Sequence, residues 1–340
     1  MDGFRAGAGL PQRLWAFRGT LRNAESTHGV NGTGTDNAID MTDSASTPFP
    51  GVRLVRPAMA TRFEWVLWGQ PPERLRAAGE EALDEVEALE AALSRYRSHS
   101  DIGRVNAGAA RGPVRVSPGT FRLLRRCREL SVATQGAFDI TVGAFLRVWG
   151  FVGGTGQRPS PQALSEARAA SGWERVHLDP DTDSVAFDRP GVELDLGAIG
   201  KGYALDRAMD LLHEAGVPHA LLHGGTSSIV ARGFAPDGRP WRVGLPGRPG
   251  AEIQESMALQ DESLSISAIW GKSFTDAGEE LGHVLDPRTG EPVRRARWAA
   301  VTGPEATVTD ALSTALLVLG PGGRPALEAA FPEYRLTHIE

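Results

Sequence analysis

Stretches with helical spacing and short apolar runs follow one another in an irregular order along this chain of 340 residues. In residues 73–93, apolar side chains recur every three or four positions, which indicates a long amphipathic helix. Residues 62–68 alternate between polar and apolar side chains and predict the first strand, just before that helix. A doubly wound parallel sheet requires regular alternation of strands and helices. The irregular order therefore predicts an α+β fold with mixed or antiparallel sheets and packed helices.

Further helices and strands are predicted from the same two periodicities. The helices cover residues 118–134, 202–214 and 308–319, and they are followed by Gly136, Gly216 and Gly320. Glycine is common directly after a helix because it adopts the left-handed backbone that ends many helices. Short apolar runs predict strands at residues 192–196, 220–223 and 241–245. The helix at residues 308–319 is the last element of this prediction.

The first fifty residues differ in composition from the rest of the chain. Residues 24–50 are rich in Ser, Thr, Gly, Asn and Asp and follow neither the helical nor the strand period. We expect residues 1–50 to form a flexible leader and residues 51–340 to form one folded domain. No apolar run approaches the ~20 residues of a membrane span, and no signal peptide is recognised. As written, the chain is expected in the cytoplasm; a mis-assigned start codon would allow a periplasmic or membrane-anchored protein.

The basic residues of the chain are unusual in kind. There are 36 of them against 42 acidic residues, and the formal net charge of −6 gives no reason to expect a nucleic-acid partner. Only Lys201 and Lys272 are lysines. A lysine matters where a compact ammonium group is needed, so both point to the segments around them, although chance explains either one equally well. The single cysteine, Cys127, lies in an apolar helical run and is expected to be buried.

The last predicted helix carries oxygen atoms on one face. Asp310, Ser313 and Thr314 are spaced i, i+3 and i+4, which places their side chains together. One carboxylate with two hydroxyls suits a hard cation such as Mg²⁺, which takes its other ligands from substrate and water. Near a helix start, however, the same residue types commonly cap backbone N–H groups, and spacing alone favours capping.

Two glycine-containing turns are candidate anion sites. Residues 193–206 pass from a predicted strand into a helix with Asp195 and Lys201 at the turn, where backbone N–H groups and the helix dipole would face an anion. Residues 221–228 end another strand in a Gly-Gly turn that could approach a phosphate. Both are equally consistent with ordinary connections. Neither residues 150–156 nor residues 271–273 have the spacing of a dinucleotide-binding motif or of a P-loop.

A histidine lies in a turn-rich segment near the carboxyl-terminal end. His283 precedes Asp286 by three residues in residues 282–292, which also contain a Pro-Arg-Thr-Gly turn. Close to a metal and a phosphate, a histidine can accept a proton or donate a hydrogen bond to substrate. A single histidine is more often structural.

Taken in order, these segments resemble the FAD:protein FMN transferase family (ApbE type). Residues 59–61 resemble the opening Met-Gly-Thr of the family, residues 93–106 resemble its Tyr-Arg, Ser-Asp-Ile and Asn segment, and residues 136–151 are nearly a consensus copy. The other matching segments are residues 195–206, 224–225, 241–244, 283–293 and 309–320. The similarity covers about residues 52–335.

The resemblance implies an α+β fold with FAD in a central cleft and Mg²⁺ at its diphosphate. It implies that residues 51–340 are a catalytic domain that transfers FMN from FAD to a threonine hydroxyl of a partner flavoprotein and releases AMP. The flavin and adenosine contacts implied by the motifs are Met59, Tyr96, Ala137, Phe138, Asp139, Asp195, Lys201 and His283. The implied metal ligands are the Ala198 carbonyl and the side chains of Asp310, Ser313 and Thr314. A homodimer is left open.

The implied residues have distinct expected roles. Phosphoryl transfer depends on in-line positioning and on neutralised charge, which Mg²⁺ and Lys201 would supply. His283 is the candidate base for the acceptor hydroxyl, Asp286 is the candidate for orienting it, and Asp139 is the alternative base.

Two segments depart from the family pattern. Residues 267–270 read Ser-Ala-Ile-Trp where the family often has Ser-Gly-Asp-Tyr, close to the expected adenine pocket. Thr226 follows the Gly-Gly pair where an acidic residue or Asn is common. Two alternatives to transferase activity are an FAD pyrophosphatase that forms FMN and AMP, and a flavin-binding protein without turnover.

Overall fold

The computed structural model of this protein describes residues 50–245, 256–270 and 272–339. All but the last residue of the predicted leader therefore lies outside the described residues. The helices are α1 (Pro72–Leu93), α2 (Asp101–Gly108), α3 (Pro118–Ala133), α4 (Gly143–Val148), α5 (Pro161–Ala169), α6 (Gly200–Glu214), α7 (Ala306–Leu319) and α8 (Arg324–Ala330). Single 3₁₀ turns lie at Ile140–Val142, Trp173–Arg175 and Pro321–Gly323.

The strands form one large sheet and several small ones. They are β1 (Gly51–Ala58), β2 (Thr61–Trp68), β3 (Val114–Arg115), β4 (Val176–Asp179), β5 (Ser184–Phe187), β6 (His219–Gly224), β7 (Ser228–Arg232), β8 (Trp241–Gly244), β9 (Ser256–Leu259), β10 (Glu262–Ala268), β11 (Ser273–Asp276), β12 (Glu279–Gly282), β13 (Leu285–Asp286), β14 (Glu291–Pro292), β15 (Trp298–Gly303) and β16 (Arg335–Ile339). The large sheet has the order β1-β2-β6-β7-β10-β15-β16, and each neighbouring pair is antiparallel.

Both faces of the large sheet are covered. Helices α1, α6 and α7 pack on one face, and the β8–β9 pair covers the other through an apolar cluster centred on Trp241. This arrangement of helices on an antiparallel sheet confirms the predicted α+β class. Within the described ranges, no helix combines the length and the apolar character that crossing a membrane requires.

Most elements predicted from periodicity are present with shifted ends. The helices predicted at residues 73–93, 118–134 and 202–214 are α1, α3 and α6. The strands predicted at 220–223 and 241–245 are β6 and β8. Cys127 is buried in α3, as predicted, and burial raises the pKa of its thiol.

The strand predicted at residues 62–68 is β2, but it is not the first strand, because β1 precedes it. Strand β1 pairs with β2 through a two-residue turn at Met59 and Ala60, both of which have positive φ. Pro57 lies within β1, and proline argues against a central strand because it lacks an N–H group. The sheet accepts it because β1 is an edge strand.

The strand predicted at residues 192–196 is also wrong. Among the described residues, the segment has no strand partner; the Asn106 side chain instead exchanges two hydrogen bonds with the backbone of Leu194, at 2.8 and 2.9 Å. The Asp195 N–H donates to the Ile140 carbonyl at 2.7 Å. A side chain and a 3₁₀ turn thus take the place of a neighbouring strand, so that the apolar run resembles a strand in sequence only.

The helix predicted at residues 308–319 begins earlier and is not the last one. It is α7, which starts at Ala306, so Asp310 is its fifth residue and does not cap it. Helix α8 follows, and Leu327 is its only buried residue. Such a short helix lacks a periodic apolar face, which explains why the pattern did not reveal it.

Candidate active site

A cavity of about 580 Å³ lies where α6, α7, the β6–β7 turn and the end of β10 meet. Apart from Ser313, all residues predicted to contact cofactor or metal line it; they are Met59, Tyr96, Ala137, Phe138, Asp139, Asp195, Ala198, Lys201, His283, Asp310 and Thr314. These residues come from segments far apart in the chain. The fold therefore brings together the residues that the ordered motifs implied.

The amino-terminal ends of α6 and α7 form one wall of the cavity. Asp310 is almost fully buried; its carboxylate accepts the Gly202 N–H at 3.0 Å and lies 3.8 Å from the Lys201 ammonium. The two helices touch so closely that a Cβ atom on Gly202 would lie 2.1 Å from the Ala306 carbonyl oxygen. Glycine at position 202 is thus required for this approach. It keeps the carboxylate and the ammonium side by side.

A row of hydroxyls, most of them buried, attaches α7 to β10. Ser263 and Ser265 contact the Thr309 hydroxyl at 3.2 and 3.0 Å, and Ser267 contacts those of Ser313 and Thr314 at 2.8 and 3.0 Å. Alternate residues of a strand share one face, so the three serines lie against the helix together. Leu264 and Ile266 between them point to the opposite apolar cluster.

This packing separates Ser313 from Thr314. Ser313 is fully buried between Ser267 and its own helix, where its hydroxyl donates to the Asp310 carbonyl at 3.0 Å, and it does not line the cavity. Thr314 does line the cavity. Of the two hydroxyls predicted as metal ligands, Thr314 is therefore the one that faces the cavity.

Arg95 holds two carboxylates beside the cavity. Its guanidinium donates to Asp195 at 2.8 Å and to Glu193 at 2.6 Å, and only 8% of the Arg95 side chain is exposed. Arg147 binds the other oxygen of Glu193 at 2.6 Å. The second Asp195 oxygen accepts the Gly197 N–H at 2.8 Å. Both oxygens of Asp195 are thus held, and its carboxylate has a fixed orientation at the cavity wall.

Asp139 lies at the start of the 3₁₀ turn Ile140–Val142. Its Oδ1 atom accepts the Thr141 N–H at 2.8 Å, and the Ser131 hydroxyl lies 3.5 Å from Oδ2. Burial raises the pKa of Asp139 to about 6, although the hydrogen bonds from Thr141 oppose this shift. A cavity carboxylate with such a pKa exists in both protonation states near neutrality, as a proton-transfer group requires.

The His283 ring is oriented by a backbone carbonyl. Its Nδ1 atom lies 3.1 Å from the Lys272 oxygen, which also accepts the His283 N–H at 3.0 Å. A hydrogen bond to a carbonyl requires Nδ1 to carry the proton, so the neutral ring has its free lone pair on Nε2. Burial lowers the pKa of His283, and the charges of Lys272 and Lys201 lower it further. The ring is therefore suited to accept a proton at neutral pH.

Asp286 does not orient this histidine, contrary to the prediction. Its carboxylate forms a two-point ion pair with Arg288, with both contacts at 2.8 Å, and accepts the Arg288 N–H at 3.0 Å. These three contacts close the turn that follows β13. The spacing of His283 and Asp286 in sequence gave no indication of the competing arginine.

The ApbE family model matches residues 59–334, which include every residue of the cavity wall discussed above. This chain belongs to the ApbE family. The match covers well over half of the chain and agrees with the resemblance expected from the ordered motifs.

Individual ApbE proteins resemble this chain over most of its length. The FAD:protein FMN transferase of Vibrio cholerae is 29% identical over 284 residues, which are 80% of this chain and 83% of that protein. The ApbE protein of Thermotoga maritima has a TM-score of 0.78 at 28% identity, over 85% of this chain and 96% of that one. The apo flavinyl transferase ApbE of Pseudomonas stutzeri has a TM-score of 0.72 at 31% identity, over 82% and 87% of the two chains.

Several residues at this site were not predicted from the sequence. Arg95 lies inside a matched segment, but its ion pairs with residues about a hundred positions away left no local signal. Ser267 was noted only as part of a departure from the family pattern, yet it anchors Thr314. Lys272 lines the cavity as well, and the scarcity of lysine pointed to it without indicating a role.

The oxygen atoms at the α6–α7 wall suit a hard divalent cation. Asp310, Thr314 and Ala198 line one cavity and offer a carboxylate, a hydroxyl and a carbonyl oxygen. The set contains only one carboxylate, and no cluster of three or more His, Cys, Asp or Glu side chains that could hold a metal is found among the described residues. This donor set therefore fits Mg²⁺, which needs few protein ligands when substrate phosphates supply the others.

Proposed function

We propose that this chain transfers the FMN part of FAD to a threonine hydroxyl of a partner flavoprotein. One observation carries this proposal. In a chain of the ApbE family, all residues predicted to contact cofactor or metal, except Ser313, line one cavity. The enzyme class, FMN transfer from FAD to a protein, follows from that family and from the names of its relatives. The threonine acceptor and the metal are the finer parts of the proposal.

The proposed reaction exchanges one phosphorus–oxygen bond for another. The acceptor oxygen attacks the phosphorus of the FMN half of FAD, and the bond from this phosphorus to the bridging oxygen breaks. AMP leaves with the bridging oxygen, and the acceptor hydroxyl loses its proton. Because little covalent catalysis is needed, the protein contributes mainly orientation and charge.

The chain's own residues have separate tasks in this reaction. Lys201 places a positive charge beside Asp310, where it would offset the negative charge that develops on the diphosphate oxygens. His283 presents Nε2 to the cavity as the proton acceptor, because Nδ1 is held by the Lys272 carbonyl. Asp195, held by Arg95, binds and orients the substrate.

Mg²⁺ would be held by the Asp310 carboxylate, the Thr314 hydroxyl and the Ala198 carbonyl. When bound, it supplies Lewis-acid neutralisation of the diphosphate charge. Ser313 would help to position these ligands without binding the metal, because its hydroxyl donates to the Asp310 carbonyl and contacts the Ser267 hydroxyl.

A single incubation distinguishes this proposal from the alternatives. The purified chain is mixed with FAD, MgCl₂ and a protein extract of its source cells as acceptor, and the digest is analysed by mass spectrometry. A threonine that carries phosphoryl-linked FMN, together with released AMP, is the expected result. Free FMN with AMP would instead indicate a pyrophosphatase, and unchanged FAD would indicate a binding protein. Samples without MgCl₂, or with Asp310→Asn, serve as controls and should yield no adduct.

A further inference from the structure

The two lysines of this chain lie at the same cavity. Lys201 and Lys272 are the only lysines among 36 basic residues, and both line it. Among the residues whose positions are described, no arginine lines it. The described wall of this cavity thus carries ammonium groups and no guanidinium, in a chain that is rich in arginine.

The position of Lys272 is determined by its contact with His283. Its carbonyl oxygen accepts the backbone N–H of His283 at 3.0 Å and contacts the Nδ1 atom of the ring at 3.1 Å. Lys272 directly precedes β11, and His283 directly follows β12, so the β11–β12 hairpin closes with these two residues at its base. The lysine backbone is therefore fixed beside the proposed proton acceptor.

Both ammonium groups act on this one imidazole. The positive charges of Lys272 and Lys201 each disfavour protonation of His283 and lower its pKa, beyond the larger effect of burial. Lys201, Lys272 and His283 all line this one cavity, and Lys201 lies there 3.8 Å from Asp310.

The two lysines differ in their own partners. Lys201 has the Asp310 carboxylate at 3.8 Å. Lys272 has no carboxylate oxygen within 4.0 Å in the described parts of the chain, and its side chain is exposed. An uncompensated positive charge on the cavity wall is suited to an anionic ligand.

We propose that Lys272 is a second phosphate-binding residue, whose ammonium group contacts the diphosphate of FAD together with Lys201. This inference rests on the proposed function. A diphosphate diester is doubly anionic, and Lys272 offers it an ammonium group that, unlike that of Lys201, is not paired with a carboxylate among the described residues. A lysine rather than an arginine fits because its compact ammonium group binds phosphate as a point charge and leaves room for the ligand.

Binding of FAD and of riboflavin to the full chain tests this proposal. Riboflavin has the flavin ring but no phosphate, so only FAD should depend on Lys272. Calorimetric titration is performed with wild type, Lys272→Gln, Lys272→Arg and a control, Arg294→Ala, which removes a basic side chain that binds Glu279 outside the cavity. We expect Lys272→Gln to weaken FAD binding about tenfold, the effect of one charge-assisted contact, and to leave riboflavin binding unchanged. Lys272→Arg should retain more FAD affinity, and Arg294→Ala should match wild type.

Several results would overturn the role of Lys272. These are wild-type FAD affinity in Lys272→Gln, or an equal loss of FAD and riboflavin affinity, which would indicate support of the hairpin rather than phosphate binding. A change confined to the KM of the protein acceptor would place Lys272 at the docking surface instead. A wild-type chain that binds neither ligand would overturn the flavin site itself, and this result is distinct from all the others.

Discussion

The carboxylates of Asp206 and Asp310 each bind the amino-terminal end of the helix that carries the other. Asp206, on α6, accepts the N–H groups of Ala306 and Thr307 at the start of α7, at 2.8 and 2.7 Å. Asp310, on α7, accepts the N–H of Gly202 in the first turn of α6 at 3.0 Å. Helix ends leave such N–H groups without partners, so this exchange satisfies both helices at once. It also fixes the distance between Lys201 on one helix and Asp310 on the other.

This exchange separates the structural role of Asp310 from its proposed metal role. Asp310→Asn keeps an oxygen that can accept the Gly202 N–H but removes the charge that would hold Mg²⁺, so we expect a folded protein that shows no turnover at any Mg²⁺ concentration. Thermal melting and a Mg²⁺ titration of the transfer rate measure the two effects. Asp206→Asn is the matched control: it alters the equivalent cap outside the cavity, and should lower stability by about 1 kcal/mol while retaining the Mg²⁺ response. Near-wild-type turnover in Asp310→Asn, or its unfolding, would show that the metal role is wrong.

The pH dependence of the transfer rate tests His283 as the base. Burial and two nearby ammonium groups hold its pKa below the ordinary 6.5, so the ring is neutral at pH 7. The rate should therefore fall only when the pH drops below 6.5 and the ring becomes protonated. We expect His283→Ala to lower the rate by about 10²–10⁴-fold, to leave FAD affinity little changed and to abolish this acidic limb.

Asp139 requires a parallel measurement, because burial raises its pKa to about 6 and its ionisation would produce a limb in the same range. If Asp139→Asn abolishes the limb and His283→Ala does not, Asp139 is the base. If His283→Ala loses FAD affinity in proportion to rate, His283 is a binding residue.

Arg95 should be essential to both stability and FAD binding. Arg95→Met would leave the partly buried carboxylates of Glu193 and Asp195 without their shared guanidinium, which should cost about 3 kcal/mol in the free energy of unfolding. Denaturant unfolding and FAD titration measure the two effects. The control is Arg335→Met, which removes the ion pair between Arg335 and Glu262. The Arg335 side chain is 63% exposed, so this change should lower the free energy of unfolding by at most about 1 kcal/mol. Equal losses in the two variants would contradict the role of Arg95.

Removal of residues 1–50 should change neither the thermal midpoint nor the activity. Residues 24–50 follow neither period and contain few large apolar side chains, so we expect the leader to bury too little surface to offset the entropy of ordering it. A chain that begins at Gly51 keeps all of β1, and differential scanning calorimetry compares it with the full chain. A midpoint lowered by several degrees would show that the leader packs on the domain.

Elements with a strong local pattern were predictable from the sequence. Helices α1, α3 and α6 show helical apolar spacing and a glycine or turn at the end, features that depend on neighbouring residues only. Residues 192–196 have an equally clear apolar run but form no strand. Whether an extended segment finds a strand partner depends on residues far away, here Asn106 and Ile140.

The same division holds for the candidate site. Of the residues that the ordered motifs implied as cofactor contacts or metal ligands, every one but Ser313 lines the cavity. Local spacing could not decide between Ser313 and Thr314, because only the packing of Ser267 on α7 turns one of them away from the cavity. Nor could it show that Asp286 binds Arg288, or that Asp206 and Asp310 cap each other's helices. Periodicity and motif order are properties of the chain itself, whereas the partner of a polar side chain is chosen among groups that meet only after folding.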